Sequence, residues 1–268
     1  MDLNLQGRTA VITGGSMGIG KAAALGLAEE GVNVVLLARG QEALEQTAEE
    51  IRSQYGTEVL AISTDLTDRE LVQAAAEQTA ERFGPVHILV NNAGHRMRRL
   101  DRQILWDDED WLGDIDIKTG GMLRIIRSLH PHLAKDGTGR IINVSGVAGT
   151  MVYGSAMTHG INNSAMIHVT GYLARDLAQD KINVNVISPG LIGTEWRRGW
   201  AKMMGEQQGI SQEEFLAAYC EQAGILAGRW GSMAEIADII VFLASDRARY
   251  INGENIVIDG GMNVNPRV

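Results

Sequence analysis

Short apolar runs alternate along the chain with longer stretches in which apolar residues recur at helical spacing. The apolar runs are residues 9–12, 32–37, 59–62, 86–90, 141–144, 182–187 and 255–258. Helical spacing is clearest at residues 21–30, 42–53, 70–82 and 163–178. Strands that are apolar on both faces belong inside a parallel sheet whose two sides are covered by helices. The pattern therefore predicts repeated β-α-β units.

These units predict a doubly wound, Rossmann-type α/β fold with a parallel seven-stranded sheet. The 268 residues, 45% of them hydrophobic, are enough for one large core, so we expect residues 1–268 to form a single domain. Residues 191–226 interrupt the β-α rhythm and are rich in glycine, methionine, tryptophan and charge. We interpret them as a helical insertion within this domain, a mobile lid over the site.

Composition and charge exclude several classes of function. The formal net charge of -9 argues against nucleic acid or an anionic membrane surface as a partner. An apolar run long enough to cross a bilayer is missing, and the N-terminal residues do not resemble a secretory signal, so we expect a cytoplasmic protein. The single cysteine, Cys220, excludes an intramolecular disulfide and leaves no thiol cluster for a metal ion. We expect no metal site.

A glycine-rich segment, residues 13–20, follows the first predicted strand and opens the first predicted helix. Glycines at such a turn let backbone N–H groups approach a pyrophosphate at a helix N-terminus. A tight turn without a ligand is the alternative, but the position in a β-α-β series favours a dinucleotide. The residues expected to bind it are Gly14, Ser16, Met17, Gly18, Ile19 and Gly20.

The ends of the next two predicted strands indicate which dinucleotide is bound. Arg39 stands where an acidic residue would bind the ribose 2′-hydroxyl of NAD and an arginine would bind the 2′-phosphate of NADP. NADP(H) is therefore favoured over NAD(H), with a merely solvated arginine as the alternative. Asp65 is placed to accept a hydrogen bond from the adenine amino group, or else to cap a turn.

Four motifs together resemble the short-chain dehydrogenase/reductase family. They are Thr13-Gly14-x3-Gly18-x-Gly20, Asp65-Leu66, Asn91-Asn92-Ala93-Gly94 and Pro189-Gly190-x3-Thr194, and they span nearly the whole chain. The resemblance implies the strand order 3-2-1-4-5-6-7 and a homodimer or homotetramer built on long helices near residues 107–133 and 158–180. It adds Leu66, Asn91, Ala93, Gly94, Pro189, Gly190, Ile192 and Thr194 to the cofactor site, the last two on the nicotinamide carboxamide.

The catalytic positions of this family hold different residues here. Its serine, tyrosine, lysine and asparagine are replaced by Gly146, His159, Asn163 and Lys118. A shift in register does not restore them, because none of the chain's lysines has a tyrosine four positions earlier. The four catalytic residues are therefore altered, whereas the motifs that bind the cofactor match the family.

The replacements suggest a changed proton-transfer site. A histidine delivers or accepts protons near neutral pH, so His159 is a candidate for the tyrosine's role. Lys118 would lower the pKa of His159 and, with Asn163, orient the substrate and the ribose. The alternatives are an inert His159 in a degenerate site and a Lys118 that is solvated or ion-paired with Asp114.

Arginines cluster in two segments expected to border the substrate pocket. They are Arg96, Arg98, Arg99, Arg197 and Arg198. In an acidic chain, such a cluster favours a small-molecule substrate with an anionic group, or an acyl carrier, unless the arginines pair with nearby acidic residues. Tyr153 and Ser155 are candidates to supply the missing hydroxyl.

The sequence is compatible with three functions. The first is an NADP(H)-dependent oxidoreductase that acts on a carbonyl or an alcohol. The second is a catalytically silent, cofactor-binding pseudoenzyme or regulatory subunit. The third is a lyase or hydrolase that reuses the pocket with His159 as a base.

Overall fold

One parallel sheet organises the chain in the computed structural model, which describes residues 2–94, 104, 107–152 and 157–264 and leaves the side chain of Asp110 undescribed. The strands are β1 Thr9–Thr13, β2 Asn33–Ala38, β3 Val59–Ser63, β4 Ile88–Asn91, β5 Arg140–Val144, β6 Asn183–Pro189 and β7 Asn255–Ile258. Their order is β3-β2-β1-β4-β5-β6-β7, and each neighbouring pair is parallel. The predicted fold class and strand order are confirmed.

Helices cover both faces of this sheet. The described helices are α1 Gly18–Glu29, α2 Gln41–Tyr55, α3 Arg69–Phe83, α4 Asp108–Ile115, α5 Gly121–Leu129, α6 Met157–Asp176, α7 Glu195–Gln208, α8 Gln212–Ala223 and α9 Met233–Ala244. Successive side chains of a strand point to opposite faces. In β1, Ala10 and Ile12 pack in the core with α1, α2 and α9, whereas Val11 packs in the core with α3, α5 and α6.

The helix predicted near residues 107–133 is interrupted by a π-helical turn. The turn, Asp116–Gly120, separates α4 from α5. Arg124 stabilises it, because its Nη1 donates to the carbonyl oxygens of Asp116 and Leu66, both at 3.1 Å, and its Nη2 forms an ion pair with the Asp116 carboxylate. Such turns are rare and often mark functional sites. Here the turn carries Lys118.

Residues 191–226, the predicted insertion, form α7, α8 and their connections. Four aromatic side chains join α7 and α8 to the segment before α9. The ring of Trp200 lies 5.4 Å from Phe215 and 5.5 Å from Tyr219, measured between centroids, and Trp230 lies 5.9 Å from Tyr219. Trp200 and Trp230 are therefore packing residues. The mobility of this insertion stays a prediction.

Two findings bear on the expected absence of membrane and metal sites. Among the helices of the described residues, none is long and apolar enough to cross a membrane. Within the same part of the chain, no three histidine, cysteine, aspartate or glutamate side chains form a group that could hold a metal ion. The thiol of Cys220 is buried.

Candidate active site

A cleft of about 350 Å³ lies at the carboxyl ends of β1 to β4. Ligands in open α/β sheets bind at this edge. Its lining residues are Gly14, Ser16, Met17, Leu37, Ala38, Arg39, Gly40, Ala43, Thr64, Asp65, Leu66, Asn92, Ala93, Gly94 and Ile117. Most of the residues predicted from the first three motifs therefore share one cleft. Four of the predicted residues, Gly18, Ile19, Gly20 and Asn91, are not part of this lining, and Asn91 is buried in β4.

The glycine-rich turn has the backbone that its sequence predicts. Gly14 and Gly18 have φ angles of 68° and 57°, in the left-handed region that favours glycine. A Cβ atom on Gly20 would lie 2.2 Å from the carbonyl oxygen of Gly14, closer than any side chain allows. The turn thus folds tightly onto the N-terminus of α1.

Replacing Gly20 with alanine is expected to lower the free energy of unfolding by about 1–3 kcal/mol, because the added methyl overpacks the turn. It is also expected to weaken NADPH binding at least tenfold. Thermal unfolding and a fluorescence titration with NADPH measure the two effects. Gly199→Ala is the control, since a Cβ at Gly199 meets no atom within 4 Å. Unchanged affinity in Gly20→Ala would show that the turn does not bind the dinucleotide.

Thr13 and Asn92 hold the turn in place, and the sequence analysis did not include them among the site residues. The Thr13 hydroxyl oxygen accepts from the backbone N–H groups of Asn92 and Ala93, both at 3.0 Å. The Asn92 amide donates to the carbonyl oxygens of Thr13 at 3.1 Å and Gly14 at 3.3 Å. A threonine and an asparagine at two adjacent parallel strand ends were the available signal.

Arg39 and Asp65 lie in the cleft lining where they were predicted. Arg39 is exposed, and within the described ranges its guanidinium forms no ion pair. Asp65 Oδ1 accepts from the backbone N–H of Thr67 at 2.9 Å and from its hydroxyl at 2.8 Å. The turn-capping role of Asp65 is thus observed, and its adenine contact stays a prediction.

The loop after β6 reaches the glycine-rich turn. Thr194 caps α7, its hydroxyl accepting from the backbone N–H of Arg197 at 3.4 Å. A Cβ atom on Gly18 would lie 3.8 Å from the Thr194 methyl. Ile192 pairs with Gly231 as an isolated parallel bridge. Pro189 and Gly190 end β6 and start this loop.

Lys118 is buried and bonded to Asn163. Its Nζ donates to Asn163 Oδ1 at 2.6 Å, and 8% of the residue is exposed. Burial lowers the pKa of Lys118 to about 8, because an ammonium loses hydration inside the protein. The alternative ion pair with Asp114 is not formed, since the Asp114 carboxylate accepts from the Thr158 hydroxyl at 2.8 Å instead. Two of the four predicted catalytic positions are therefore in direct contact.

His159 lies near the start of α6. Burial, followed by the positive charges of Lys118 and Arg197, lowers its pKa to about 3. The expectation that Lys118 lowers this pKa is confirmed. The expectation that His159 titrates near neutral pH is wrong, because a pKa of about 3 keeps the ring neutral at and around pH 7.

Asn163 is fully buried between Lys118 and Gly146. Its Nδ2 has no hydrogen-bond acceptor among the described residues. A Cβ atom on Gly146 would lie 3.0 Å from this nitrogen. The Ser145 hydroxyl donates to the backbone carbonyl of Asn163 at 3.0 Å. The structure thus gathers Gly146, Asn163 and Lys118 at one point.

The predicted cluster of arginines lies only partly within the described residues. The charge of Arg197 acts on His159, which places Arg197 near the same site. Arg198 is exposed and its Nε donates to the carbonyl oxygen of Gly193 at 3.0 Å. Arg96, Arg98, Arg99, Tyr153 and Ser155 lie outside the described residues, so their roles stay predictions.

Comparison with known proteins identifies the family. A family model described as enoyl-(acyl carrier protein) reductase matches residues 14–263. The chain belongs to the short-chain dehydrogenase/reductase family. Its relatives include the 3-oxoacyl-(acyl-carrier-protein) reductases FabG of Escherichia coli K12 and Staphylococcus aureus Mu50. The first is 33% identical over 97% of this chain and 99% of its own length, and the second is 32% identical over 95% and 98%.

Solved structures of this family share the fold over almost the whole chain. L-sorbose reductase from Gluconobacter frateurii, complexed with NADPH and L-sorbose, has a TM-score of 0.93 and 32% identity, covering 98% of this chain and 99% of its own. An NADPH-bound short-chain oxidoreductase from Pseudomonas aeruginosa PAO1, described as containing an atypical catalytic center, has a TM-score of 0.86 and 28% identity, covering 95% and 96%. These similarities support an oxidoreductase.

Proposed function

We propose that this family member is an NADP(H)-dependent oxidoreductase that interconverts a carbonyl and an alcohol at an altered catalytic site. The observation that carries the proposal is the buried Lys118–Asn163 hydrogen bond, close enough to His159 for the ammonium to depress the pKa of that ring. A degenerate site has no reason to keep a buried lysine that forms no ion pair with the described residues, since burial of a charge is costly. The charge therefore points to a retained chemical role.

The cleft fits a dinucleotide. The glycines of the turn let its N–H groups approach a pyrophosphate, and Arg39 lines the cleft where a 2′-phosphate would bind. Thr194 adjoins the turn at Gly18 and, with Ile192 on the same loop, would hold the nicotinamide. When bound, the cofactor supplies or accepts hydride. The two solved relatives named above bind NADPH, which is consistent with NADP(H) as the cofactor here.

Lys118 and His159 divide the proton chemistry between them. With a pKa of about 8, Lys118 is an ammonium at pH 7 and is the source of the proton that the reduced oxygen gains. His159 stays neutral, and its ring N–H is a hydrogen-bond donor toward that oxygen. A neutral imidazole is an effective donor to a carbonyl in a site that already holds a cation.

The charges around the site favour a carbonyl compound with an anionic group. Lys118 and Arg197 both act on His159, so the site is locally positive. The relatives from Escherichia coli and Staphylococcus aureus are named for a substrate on an acyl carrier protein, which is consistent with such a group. We place the protein among the homo-oligomers of its family, as a dimer or tetramer.

Transfer of deuterium from the hydride position of labelled NADPH tests the proposed function. The panel includes L-sorbose, an acetoacetyl thioester and 2-keto acids, and mass spectrometry detects deuterium in the product alcohol. We expect incorporation with at least one compound. NADPH binding without transfer to any of them would instead support the silent subunit, and no NADPH binding would support the lyase or hydrolase.

Replacing His159 with alanine is expected to lower kcat about tenfold, the effect of one lost hydrogen bond in the transition state. Because the ring is neutral, the pH dependence of kcat is expected to stay as in the wild type. Steady-state reduction of the best panel substrate measures both. His168→Ala on the exposed side of the same helix is the control. Unchanged turnover in His159→Ala would remove His159 from the mechanism.

A further inference from the structure

The side-chain amide of Asn163 has a fixed orientation. An ammonium only donates hydrogen bonds, so the atom that Lys118 Nζ contacts at 2.6 Å must be the Asn163 oxygen. The amide nitrogen is therefore the atom that lies beside Gly146, 3.0 Å from where a Cβ atom would be. The orientation of the Asn163 carboxamide therefore follows from its hydrogen bond to Lys118.

This nitrogen is an unmet donor in the protein interior. Asn163 is 0% exposed, and its Nδ2 has no acceptor among the described residues. Buried amide donors without a partner cost about 1–3 kcal/mol and are uncommon in native proteins. An acceptor oxygen from outside the chain would remove that cost.

Gly146 leaves space beside the donor. Its φ of 169° is extended backbone that any residue adopts, so conformation does not require glycine at this position. A Cβ atom there would lie 3.0 Å from Asn163 Nδ2, which is tight for carbon but is a hydrogen-bond distance for oxygen, and 3.7 Å from the carbonyl oxygen of Pro189, which is ordinary contact. The missing side chain and the unmet donor thus face the same small volume.

We infer that the Asn163 amide is the donor that holds the reacting oxygen of the substrate, and that Gly146 keeps open the space in which this oxygen sits. The inference rests on the proposed function and assigns Asn163 a contact with the substrate. The inference also explains why glycine, with no side chain, stands at position 146, where the family has a serine. In this site the donor belongs to Asn163 on α6 and not to position 146, two residues after β5.

Lys118 is a positioning residue for this donor as well as a proton source. Its hydrogen bond fixes the Asn163 carboxamide, so Nδ2 keeps its direction without rotating. A donor that is held before the substrate arrives stabilises developing negative charge without reorganisation. The site then accepts a carbonyl or hydroxyl oxygen, and the same volume excludes a substrate that presents a donor group there.

Two substitutions at Gly146 test the inference by kinetics. Gly146→Ser adds the hydroxyl that the family has, and Gly146→Ala adds only the methyl. We expect both to lower kcat/KM for the best panel substrate by about 10- to 100-fold, within the range for loss of an oxyanion donor, with NADPH affinity unchanged. Gly199→Ala is the control and keeps wild-type kinetics. A Gly146→Ser variant as active as the wild type, or more active, would overturn the inference.

A third variant separates hydrogen-bond donation from shape. Asn163→Asp keeps an oxygen for Lys118 but replaces the N–H donor with a second acceptor. We expect its kcat/KM to fall at least 100-fold and its NADPH affinity to stay within twofold. If Asn163→Asp retains turnover, the amide is not the donor.

An NMR measurement tests the contact without catalysis. In 15N-labelled protein saturated with NADP⁺, the Asn163 amide protons are identified by their loss in Asn163→Asp, and acetone is added as a small ketone. We expect a downfield shift of one of these protons in the wild type and none in Gly146→Ala. No shift at molar acetone overturns the inference. If the shift occurs but no deuterium is transferred, the Asn163 contact is supported and the proposed function is wrong. If deuterium is transferred without the shift, the proposed function is supported and the Asn163 contact is wrong.

Discussion

Replacing Lys118 with methionine is expected to lower kcat for carbonyl reduction by on the order of 10³, within the range for loss of a proton donor. The substitution keeps most of the side-chain length and removes the only charge that the described residues place on Asn163 Oδ1. Two effects combine, since the proton source is lost and the Asn163 amide is free to turn. Steady-state kinetics with NADPH measure the loss.

The pH dependence identifies Lys118 as the proton source. Burial disfavours the ammonium, so its pKa is lowered from 10.5 to about 8. The wild-type reduction rate is therefore expected to be flat below about pH 8 and to fall as the pH rises through it. In Lys118→Met this fall is expected to disappear from the residual rate. A fall near pH 6.5 in the wild type would point to His159 instead.

Stability provides a control that does not depend on turnover. A lysine whose folded pKa lies below its unfolded pKa destabilises the protein most below the folded value, and the penalty is relieved as the pH rises from about 8 to 10.5. The thermal midpoint of the wild type should rise over this window relative to Lys118→Met. Lys202→Met, at an exposed position on α7, is the control for loss of a lysine and should behave as the wild type does.

Replacing Arg39 with glutamate is expected to reduce the preference for NADPH over NADH by on the order of 10³. Charge-assisted hydrogen bonds contribute about 1.5–3 kcal/mol, and glutamate both removes them and repels the phosphate. Arg39 is exposed at the cleft rim and forms no ion pair in the described part of the chain, so its loss leaves no buried charge behind. The kcat/KM ratio for the two cofactors measures the change.

Two further variants complete this experiment. Arg39→Ala is expected to show an intermediate loss of about 10- to 100-fold, because it removes the contact without adding repulsion. Arg127→Glu makes the same charge change at an exposed position on α5 and should leave the ratio alone. An unchanged ratio in Arg39→Glu would mean that Arg39 is a solvated arginine and that cofactor choice lies elsewhere.

The fold was accessible from sequence because its signals are local and repeated. Apolar runs such as residues 141–144 recur with helices between them, and the motif residues follow from the turn chemistry at strand ends. Glycine at position 20 is required by a contact with Gly14 only six residues away. Local signals of this kind can be read from a single sequence.

The catalytic half was less accessible because its properties arise from distant residues. The pKa of His159 depends on burial and on charges at Lys118 and Arg197, each far from it along the chain. The reason for glycine at position 146 becomes visible only when Asn163 is seen 3.0 Å from its missing Cβ atom. Spacing along the chain predicts which four residues occupy the catalytic positions, whereas their protonation and orientation depend on the packed structure.

The π-helical turn at Asp116–Gly120 has a consequence for how this chain tolerates changes in length. A π turn holds one residue more than the α-helical turn it replaces, so the loss of a single residue there restores regular α-helix. The flanking helices α4 and α5 can then keep their packing, which a deletion elsewhere in a helix would rotate by about 100° per residue. Lys118 would lose its bond to Asn163. A one-residue deletion in this turn is thus expected to preserve the fold and to abolish catalysis.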